Sequence, residues 1–426
     1  MADCVVYDIC VVGAGLWGSA AAYHASMDPE TKVCLIGPDE PTTKQEFTER
    51  TVFGAHYDEA RITRQNVGNM TDAEIARRSH DGFGVLESKT GVSFYNDCSH
   101  ILFGKAKSPY VISSKKTSEF LGLEHLLLSN DELSRMFPYL TLGDGNECLL
   151  QLSNCGMVNP RRLVSAQKLA ASSQGCDIVT SIVNQINEKY DQVNRDTILE
   201  VVTEDGHMIQ SRRVLICTGG FTLSKPLLPP HLLPDLRLAP TQTLRIELSA
   251  EDTKTLREMP MISSIVGGNN IEDCYMCPPV TYPDGRTYLK IGHGRRKHFE
   301  RNDAIAEWYR SKGDPIITEK MNEMLNRYIP GLQPLSTQID TCVLSGTPSG
   351  LPYIDMITPE IGIAVGGNGV GARWSYEVGK IAAKMMTKGQ WDYDLPKEYF
   401  KVQLARTRKD NDMSAENFKV QNQSKL

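Results

Sequence analysis

The chain has 426 residues, 40% of them hydrophobic and 23% charged, with a formal net charge of −6. This length predicts two domains rather than one core, and the composition is ordinary for a globular enzyme. The acidic balance argues against nucleic-acid binding as the main activity, and no apolar run reaches the roughly 18 residues needed to span a bilayer.

The first predicted element is a glycine-rich turn between a strand and a helix. Residues 5–12 form an apolar β-rich run, and Gly13, Gly15 and Gly18 follow in G-x-G-x-x-G spacing before a small-residue helix and a second strand at 32–37. The first two glycines permit a tight turn and close approach of the backbone to a pyrophosphate, and the third permits helix–strand packing. The pattern predicts dinucleotide binding at the helix N-terminus; the alternative is a glycine-rich turn in an unrelated α/β domain.

The acidic residue that usually ends the second strand of this motif, and binds the ribose hydroxyls, is replaced here. Gly37 occupies that position and is followed by Pro38, Asp39 and Glu40. Either Asp39 or Glu40 reaches back to the ribose, or the ribose is held in another way. The sequence leaves both alternatives open.

Two later segments are predicted to belong to the same nucleotide-binding domain as the N-terminal motif. A helix, a strand and a hairpin at about 150–220 lead into Gly219, where the backbone can again approach a cofactor. Residues 225–335 are rich in turns and β-formers and contain one helix. The stretch IGIAVGGNGVG at 361–371 then predicts a strand and a glycine loop before a last helix.

These segments predict an α/β fold with two interleaved domains. A Rossmann-like cofactor domain is assembled from residues 1–60, 150–222 and 335–400. An α+β substrate domain with a large mixed or antiparallel sheet is assembled from residues 61–149 and 223–334, and residues 401–426 form a tail. A nucleotide fold at both ends of the chain favours a flavoprotein over a nicotinamide dehydrogenase, whose nucleotide domain is continuous.

The cysteines and the last three residues indicate the compartment. Eleven cysteines without regular spacing predict reduced thiols in an intracellular compartment. Cys274 and Cys277 form a C-x-x-C without a second pair of ligands, so we expect structural thiols and no metal site. Ser424-Lys425-Leu426 is the tripeptide read by the peroxisomal import receptor, which predicts that receptor as a partner and the peroxisome as the location.

Four stretches together resemble one enzyme family. They are HYDEARITRQ (56–65), YLKIGHG (288–294), TCVLSGTPSG (341–350) and GGNGVGARWS (366–375). Over nearly the whole chain, the sequence resembles the FAD-dependent D-amino-acid-oxidase/glycine-oxidase superfamily, in the branch of monomeric sarcosine oxidase and peroxisomal sarcosine/pipecolate oxidase. The resemblance implies FAD as the cofactor and oxygen as the electron acceptor.

The resemblance implies that three arginines act at the active site. Arg61 would lie beside the flavin, and Arg64 would bind the substrate carboxylate. Arg373 would help to hold the same carboxylate, where the family has a lysine. A guanidinium offers a planar pair of donors to a carboxylate and stays charged at any working pH. The alternative for Arg61 and Arg64 is a pair of surface arginines in a loop.

The resemblance also implies a lysine and two tyrosines near the flavin. Lys290 would serve the reaction of reduced flavin with oxygen, because a positive charge stabilises developing superoxide. Tyr275 matches the family's active-site tyrosine, although a turn, TYPDGR (281–286), lengthens its spacing to Lys290. Tyr57 replaces the family's histidine next to the flavin.

The remaining implied roles concern cofactor attachment. Cys342, ahead of Thr347-Pro348, matches the family's cysteine that forms a thioether to the flavin; the alternative is a buried free thiol. Gly369 and Gly371 belong to the loop that starts the last helix, whose backbone amides could stabilise negative charge on the flavin.

Together these features predict a monomeric FAD-dependent oxidase of a secondary amino acid, N-methylated or cyclic, that yields an imine and hydrogen peroxide. The alternatives within the superfamily are an FAD-dependent amine dehydrogenase and a fructosyl-amine oxidase. An alternative of another class is a flavin-binding redox sensor without turnover.

Overall fold

The structure is a computed structural model that describes residues 5–141, 143, 145–191, 196–265, 273–294, 297–299 and 301–405. The Ser424-Lys425-Leu426 tripeptide lies outside the described residues. No helix within these ranges combines the length and the apolar character that crossing a bilayer requires.

Strands in the described part of the chain number nineteen and form three sheets. They are β1 (Val6–Val12), β2 (Val33–Ile36), β3 (Arg61–Thr63), β4 (Tyr95–Asp97), β5 (His100–Lys105), β6 (His125–Leu128), β7 (Asn146–Gln151), β8 (Gly156–Val158), β9 (Asp177–Val179), β10 (Val183–Asp191), β11 (Asp196–Thr203), β12 (Met208–Ile216), β13 (Arg237–Glu247), β14 (Met261–Ile265), β15 (Cys274–Thr281), β16 (Thr287–His293), β17 (Ser336–Gly346), β18 (Tyr353–Met356) and β19 (Ile361–Val365).

Ten α-helices connect these strands within the described ranges. They are α1 (Leu16–Ala25), α2 (Lys44–Glu49), α3 (Met70–Thr90), α4 (Pro109–Phe120), α5 (Asn130–Met136), α6 (Pro160–Ser173), α7 (Ala250–Thr255), α8 (Ile305–Tyr309), α9 (Pro315–Tyr328) and α10 (Gly371–Lys388). Side-chain caps explain several starts: Ser129 caps α5 in a reciprocal bond with Glu132, and Asn159 caps α6 immediately before Pro160.

The first sheet has the strand order β10-β11-β12-β1-β2-β9, with β19 beside β12 and β18 beside β19. Its centre is parallel, since β1 runs parallel to both β12 and β2. Strand alternation divides its core in two: Ile9 and Val11 face α1 and α10, whereas Cys10 and Val12 face the opposite layer. Helix α1 packs between this sheet, α6 and α10.

The second sheet has the order β17-β13-β16-β15-β14-β5-β7-β6, and its pairs are antiparallel except β14 with β5. Leu289 and Ile291 of β16 face a core that is covered by α9. The alternation of a strand therefore turns Lys290, which lies between them, to the other face. The strands of a small third sheet, β3-β8-β4, pair with neither of these two sheets.

The predicted fold class is confirmed: an α/β layer with a parallel centre accompanies a large mixed sheet. Two details differ from the expectation. The stretch 176–186, which the sequence predicts as the one strand before the hairpin, forms β9 and β10, because the Ser181 amide turns back to Val179 O at 3.1 Å and the backbone ladder stops there. Strand β17 belongs to the second sheet, although the predicted cofactor segment begins at 335.

Candidate active site

The glycine turn after β1 leads directly into α1. The Gly13 amide donates to Ile36 O at 2.7 Å, which anchors the turn on β2. Gly15 is the N-cap of α1 and contributes no side-chain cap, so the amides of the first helical turn have no intrahelical partner. These donors and the positive end of the helix dipole suit a phosphate group.

Close backbone contacts explain the glycines at 13, 18 and 37. Gly13 has φ +106°, in the region that favours glycine. A Cβ at Gly18 would overlap the carbonyl of Gly13, and one at Gly37 would overlap the backbone nitrogen of Ala14. At Gly15 the nearest atom to such a Cβ is His56 Nδ1 at 3.7 Å, so the turn opens outward at this position.

Both acids after β2 are bound to α6. Lys168 Nζ lies 2.7 Å from Asp39 Oδ1. The Arg161 guanidinium donates two hydrogen bonds to the Glu40 carboxylate, at 2.6 and 2.8 Å. Because Gly37 has no room for a side chain, the acid that usually ends β2 could not be accommodated there, and the acids that follow neutralise α6 instead.

A second glycine loop lies between β19 and α10. Asn368 and Gly369 have φ +50° and +81°, and α10 starts at Gly371. The Trp17 indole donates to Gly371 O at 2.8 Å, so the N-terminal ends of α1 and α10 are joined. Gly219, with φ +54°, opens the short turn after β12, where a Cβ would meet open space.

Cys342 lies on β17, opposite Thr241 of β13. Its Sγ is 3.7 Å from the Tyr309 hydroxyl, and the Trp308 indole donates to its carbonyl at 2.9 Å. The next residue, Val343, packs against Gly220, which brings β17 to the turn after β12. The thiol is therefore partly exposed at the junction of the two sheets.

A buried cluster of charges surrounds Lys290. The side chain is 1% exposed, and its Nζ donates to Asp58 Oδ2 at 2.7 Å and to Ala60 O. Arg61 forms an ion pair with the same carboxylate. Lys290 Nζ lies 6.0 Å from the ring centre of Tyr275. Burial lowers the pKa of Lys290 and raises the pKa of Tyr275.

Arg64 and Arg373 have different partners. Arg64 is buried and donates to Asn66 O at 2.6 Å, to Asn66 Oδ1 at 3.1 Å and to the Tyr110 hydroxyl at 2.7 Å, all of which are neutral acceptors. Arg373 forms an ion pair with both carboxylate oxygens of Asp72, at 2.7 and 2.5 Å.

His100 connects the two arginines electrostatically. Its ring is fully buried and bonds Ser263 through Nε2 at 2.9 Å. Burial, followed by the charges of Arg64 and Arg373, lowers its pKa, so the ring is neutral. A neutral His100 neither adds to nor balances the charges of the two arginines.

The structure brings Arg61 and Lys290 together on one carboxylate, and Tyr275 lies beside Lys290. Tyr57 lies elsewhere, with its ring 4.7 Å from that of His56. Sequence reasoning missed Asp58, His56 and Tyr309, which have no motif of their own. The only available signal was their position inside or near stretches already singled out for other residues.

The residues present fit a dinucleotide cofactor. Three glycines bring backbone together where no side chain fits, and two helix N-termini meet at Trp17. The buried His56 Nδ1 has no hydrogen-bond partner within the described residues and lies beside Gly15. This arrangement defines a dinucleotide-binding protein of the Rossmann type.

Comparison with known proteins identifies the family. Residues 8–385 match the family model described as FAD dependent oxidoreductase, so the chain belongs to that family. Monomeric sarcosine oxidase of Bacillus sp. (strain NS-129) is 21% identical over 91% of this chain and 95% of its own. Peroxisomal sarcosine oxidase of Homo sapiens is 23% identical over 92% of this chain and 94% of its own.

A solved structure supports the fold assignment. NikD, an unusual amino acid oxidase essential for nikkomycin biosynthesis, matches with a TM-score of 0.74 at 15% identity, over 94% of this chain and 98% of NikD. The expected superfamily and the expected use of FAD are confirmed. The chain is an FAD-dependent oxidoreductase related, at low identity, to the sarcosine oxidases.

Proposed function

We propose that this protein oxidises a secondary amino acid, N-methylated or cyclic, to an imine and reduces oxygen to hydrogen peroxide, with FAD attached through Cys342. The observation that carries the proposal is Arg64, a buried guanidinium whose described acceptors are all neutral. An uncompensated buried charge is costly, so this site favours an anionic ligand. The carboxylate of an amino acid matches the paired donors of a guanidinium.

Arg373 has a smaller part in carboxylate binding than the resemblance implies. Asp72 already balances the charge of Arg373, but the buried Nε of Arg373 has no acceptor within the described residues. Arg64 therefore supplies the attraction, and Arg373 supplies one directed hydrogen bond. Fixing the carboxylate at two points orients the amine, which is the main contribution of the chain to such a reaction.

Residues of both sheets contribute to holding the cofactor. FAD, when bound, accepts the electrons of the substrate C–H bond and passes them to oxygen. Gly13, Gly15 and Gly18 bind its phosphates at the start of α1, and Gly219 allows close backbone approach. Gly369 and Gly371 present the α10 amides to negative charge. Cys342 provides the sulfur of a covalent link, and its partial exposure leaves the thiol accessible.

The charges around Lys290 favour oxygen as the electron acceptor. Lys290 and Arg61 share a single carboxylate, Asp58, so the cluster retains one net positive charge. A fixed positive charge in a buried site stabilises the negative charge that develops on oxygen during reduction. Tyr275 faces the same cluster, while Tyr57 lies on the side of His56. The substrate amine must be neutral, so the rate rises with pH.

The proposed location is the peroxisome, and the proposed partner is the peroxisomal import receptor. The enzyme is proposed to be a monomer. The Ser-Lys-Leu tripeptide supports this address. The similarity to the human peroxisomal sarcosine oxidase and to monomeric sarcosine oxidase is consistent with it.

A peroxide-coupled substrate panel tests the proposal. The purified protein is assayed with N-methyl, cyclic and glycated amino acids, each beside the same amine without its carboxylate. We expect peroxide from secondary amino acids, and none from the decarboxylated partners. Dye reduction without peroxide would indicate a dehydrogenase, and glycated substrates alone would indicate a fructosyl-amine oxidase. Flavin that no amine bleaches under anaerobic conditions would contradict enzymatic turnover altogether.

Acid precipitation tests the covalent link separately. We expect the yellow colour to stay with the precipitated wild-type protein and to remain in solution with Cys342→Ser. Colour released from the wild-type protein would contradict attachment through Cys342 without affecting the proposed reaction.

A further inference from the structure

Asp58 is the centre of the Lys290 cluster. It is 6% exposed, and its Oδ2 accepts from Lys290 Nζ at 2.7 Å. Its Oδ1 accepts from the Tyr282 hydroxyl at 2.7 Å and from the Glu59 amide at 2.8 Å. Arg61 pairs with the same side chain. One buried carboxylate therefore holds both cations.

Tyr282 reaches this carboxylate from the turn that lengthens the spacing between Tyr275 and Lys290. The turn connects β15 and β16, and the Tyr282 ring lies under the Arg245 guanidinium at 4.7 Å. Its hydroxyl is directed to Asp58, a residue 224 positions away in the sequence. The extra residues of this hairpin thus provide a second point of attachment for the carboxylate.

The other groups that face Lys290 are less suited to balance its charge. They are Arg61, Cys277, Tyr275, Asp340 and Arg245. Burial raises the pKa of both Cys277 and Tyr275, which keeps them neutral. Asp340 already binds Arg245 at 2.9 Å and is partly exposed. Arg61 and Arg245 are cations and oppose a further positive charge.

We propose that Asp58 is a positioning residue that keeps Lys290 protonated and holds its ammonium in place, and that Tyr282 orients Asp58. The inference rests on the proposed role of Lys290 in oxygen reduction. A buried ammonium without a counter-ion loses its proton readily, whereas one that contacts a carboxylate retains it. Asp58 then sets the pH range in which the cluster keeps its positive charge.

The first experiment follows the visible absorption spectrum of the oxidised, flavin-loaded protein as the pH is raised from about 6 to about 10. Loss of a proton beside the flavin changes the spectrum. In Asp58→Asn we expect this transition about 1 to 3 pH units lower than in wild type. Tyr282→Phe should move it in the same direction by up to about one unit, because one hydrogen bond is lost.

Two controls identify the titrating group. The transition should be absent from the double variant Asp58→Asn/Lys290→Met. It should stay near its wild-type pH in Asp340→Asn, which removes a carboxylate that has its own guanidinium partner. A spectrum that titrates identically in wild type and Asp58→Asn, including one that titrates in neither, overturns the proposal. If Asp58→Asn does not fold, Tyr282→Phe decides by the same criterion.

The second experiment follows reoxidation of the reduced protein by oxygen across the same pH range. In Asp58→Asn, reoxidation should be slow at high pH and recover at low pH. An equal reduction at every pH indicates a merely structural role and overturns the proposal. If Lys290→Met reoxidises as fast as wild type, the proposed role of Lys290 fails, an outcome separate from a shift of the spectral transition.

Discussion

The two sheets prepare the active site by different means. On the first sheet, Gly13, Gly18 and Gly37 bring backbone segments so close that a side chain would collide with a neighbouring main chain. On the second sheet and just after β3 of the third, the buried charges of Lys290 and Arg64 dominate. The proposed cofactor region is thus defined by shape, and the proposed substrate region by electrostatics.

Within the charged region, Arg64 and Arg373 show how partners determine function. Arg373 has a carboxylate of its own, Asp72, whereas the acceptors of Arg64 among the residues that the structure describes are neutral. A balanced guanidinium stabilises the fold, and an unbalanced one favours a ligand. The following predictions test this distinction between the two arginines and between the two regions.

The largest expected effect is that of Arg64→Ala on catalysis. Removing a buried, hydrogen-bonded charge costs about 2–5 kcal/mol of binding free energy, so kcat/KM for the amino acid should fall about 30-fold or more. Steady-state peroxide assays measure this change. Arg64→Lys, which keeps the charge, should recover part of the loss. An unchanged kcat/KM would show that Arg64 does not bind the carboxylate.

Asp72→Asn should reduce stability more than catalysis. The change leaves Arg373 without its charge partner, and breaking such a buried pair costs about 3 kcal/mol of unfolding free energy. Urea unfolding at about pH 7.5 measures this loss of unfolding free energy. The matched control is Asp340→Asn, whose pair with Arg245 is more exposed and should be worth about 1 kcal/mol or less. Equal losses in both variants would contradict the distinction.

Substitutions in the glycine turn compare shape with charge. Gly18→Ala forces the Gly13 carbonyl to move and should cost about 1–3 kcal/mol of unfolding free energy, with loss of bound flavin. Gly15→Ala should leave the fold stable, since its Cβ meets only His56 Nδ1 at 3.7 Å. It should nevertheless weaken flavin binding. Unfolding curves and flavin content distinguish the two, and normal flavin content in both variants would contradict the phosphate site.

The smallest expected effect, counted per pH unit, concerns two buried histidines. Burial lowers the pKa of both His24 and His56 to about 3. Between about pH 6.5 and 3, the unfolded chain binds protons that the folded chain does not, so stability falls as pH falls, by about 1.4 kcal/mol per pH unit for each residue. His24→Gln should flatten this slope, and the exposed His207→Gln should not. Equal slopes in all three proteins would contradict burial as the cause.

The cofactor region was predictable because its signals are local. Gly13, Gly15 and Gly18 lie within six consecutive residues, and the strand and helix around them follow from apolar runs. The division of 176–186 into two strands was not predictable, because β9 pairs with β2 and β10 with β11, and these partners come from other parts of the chain.

The substrate region was predictable in its cations but not in their partners. Family resemblance indicated Arg64, Lys290 and Arg373 one by one. It contained no signal for Asp58 or Asp72, because a carboxylate near several charged residues is typical of a solvated surface. Only the fold brings Asp58 to a lysine 232 positions away in the sequence.

The hydrogen bond from Trp17 to Gly371 also has a consequence for biosynthesis. It joins α1 to a helix that the ribosome makes much later, because the two bonded residues are 354 positions apart in the sequence. Domains generally fold as units when their sequence has left the ribosome. Helix α1 must therefore wait for the synthesis of α10 before the two halves of the proposed nucleotide site can close, so that flavin loading follows the synthesis of α10.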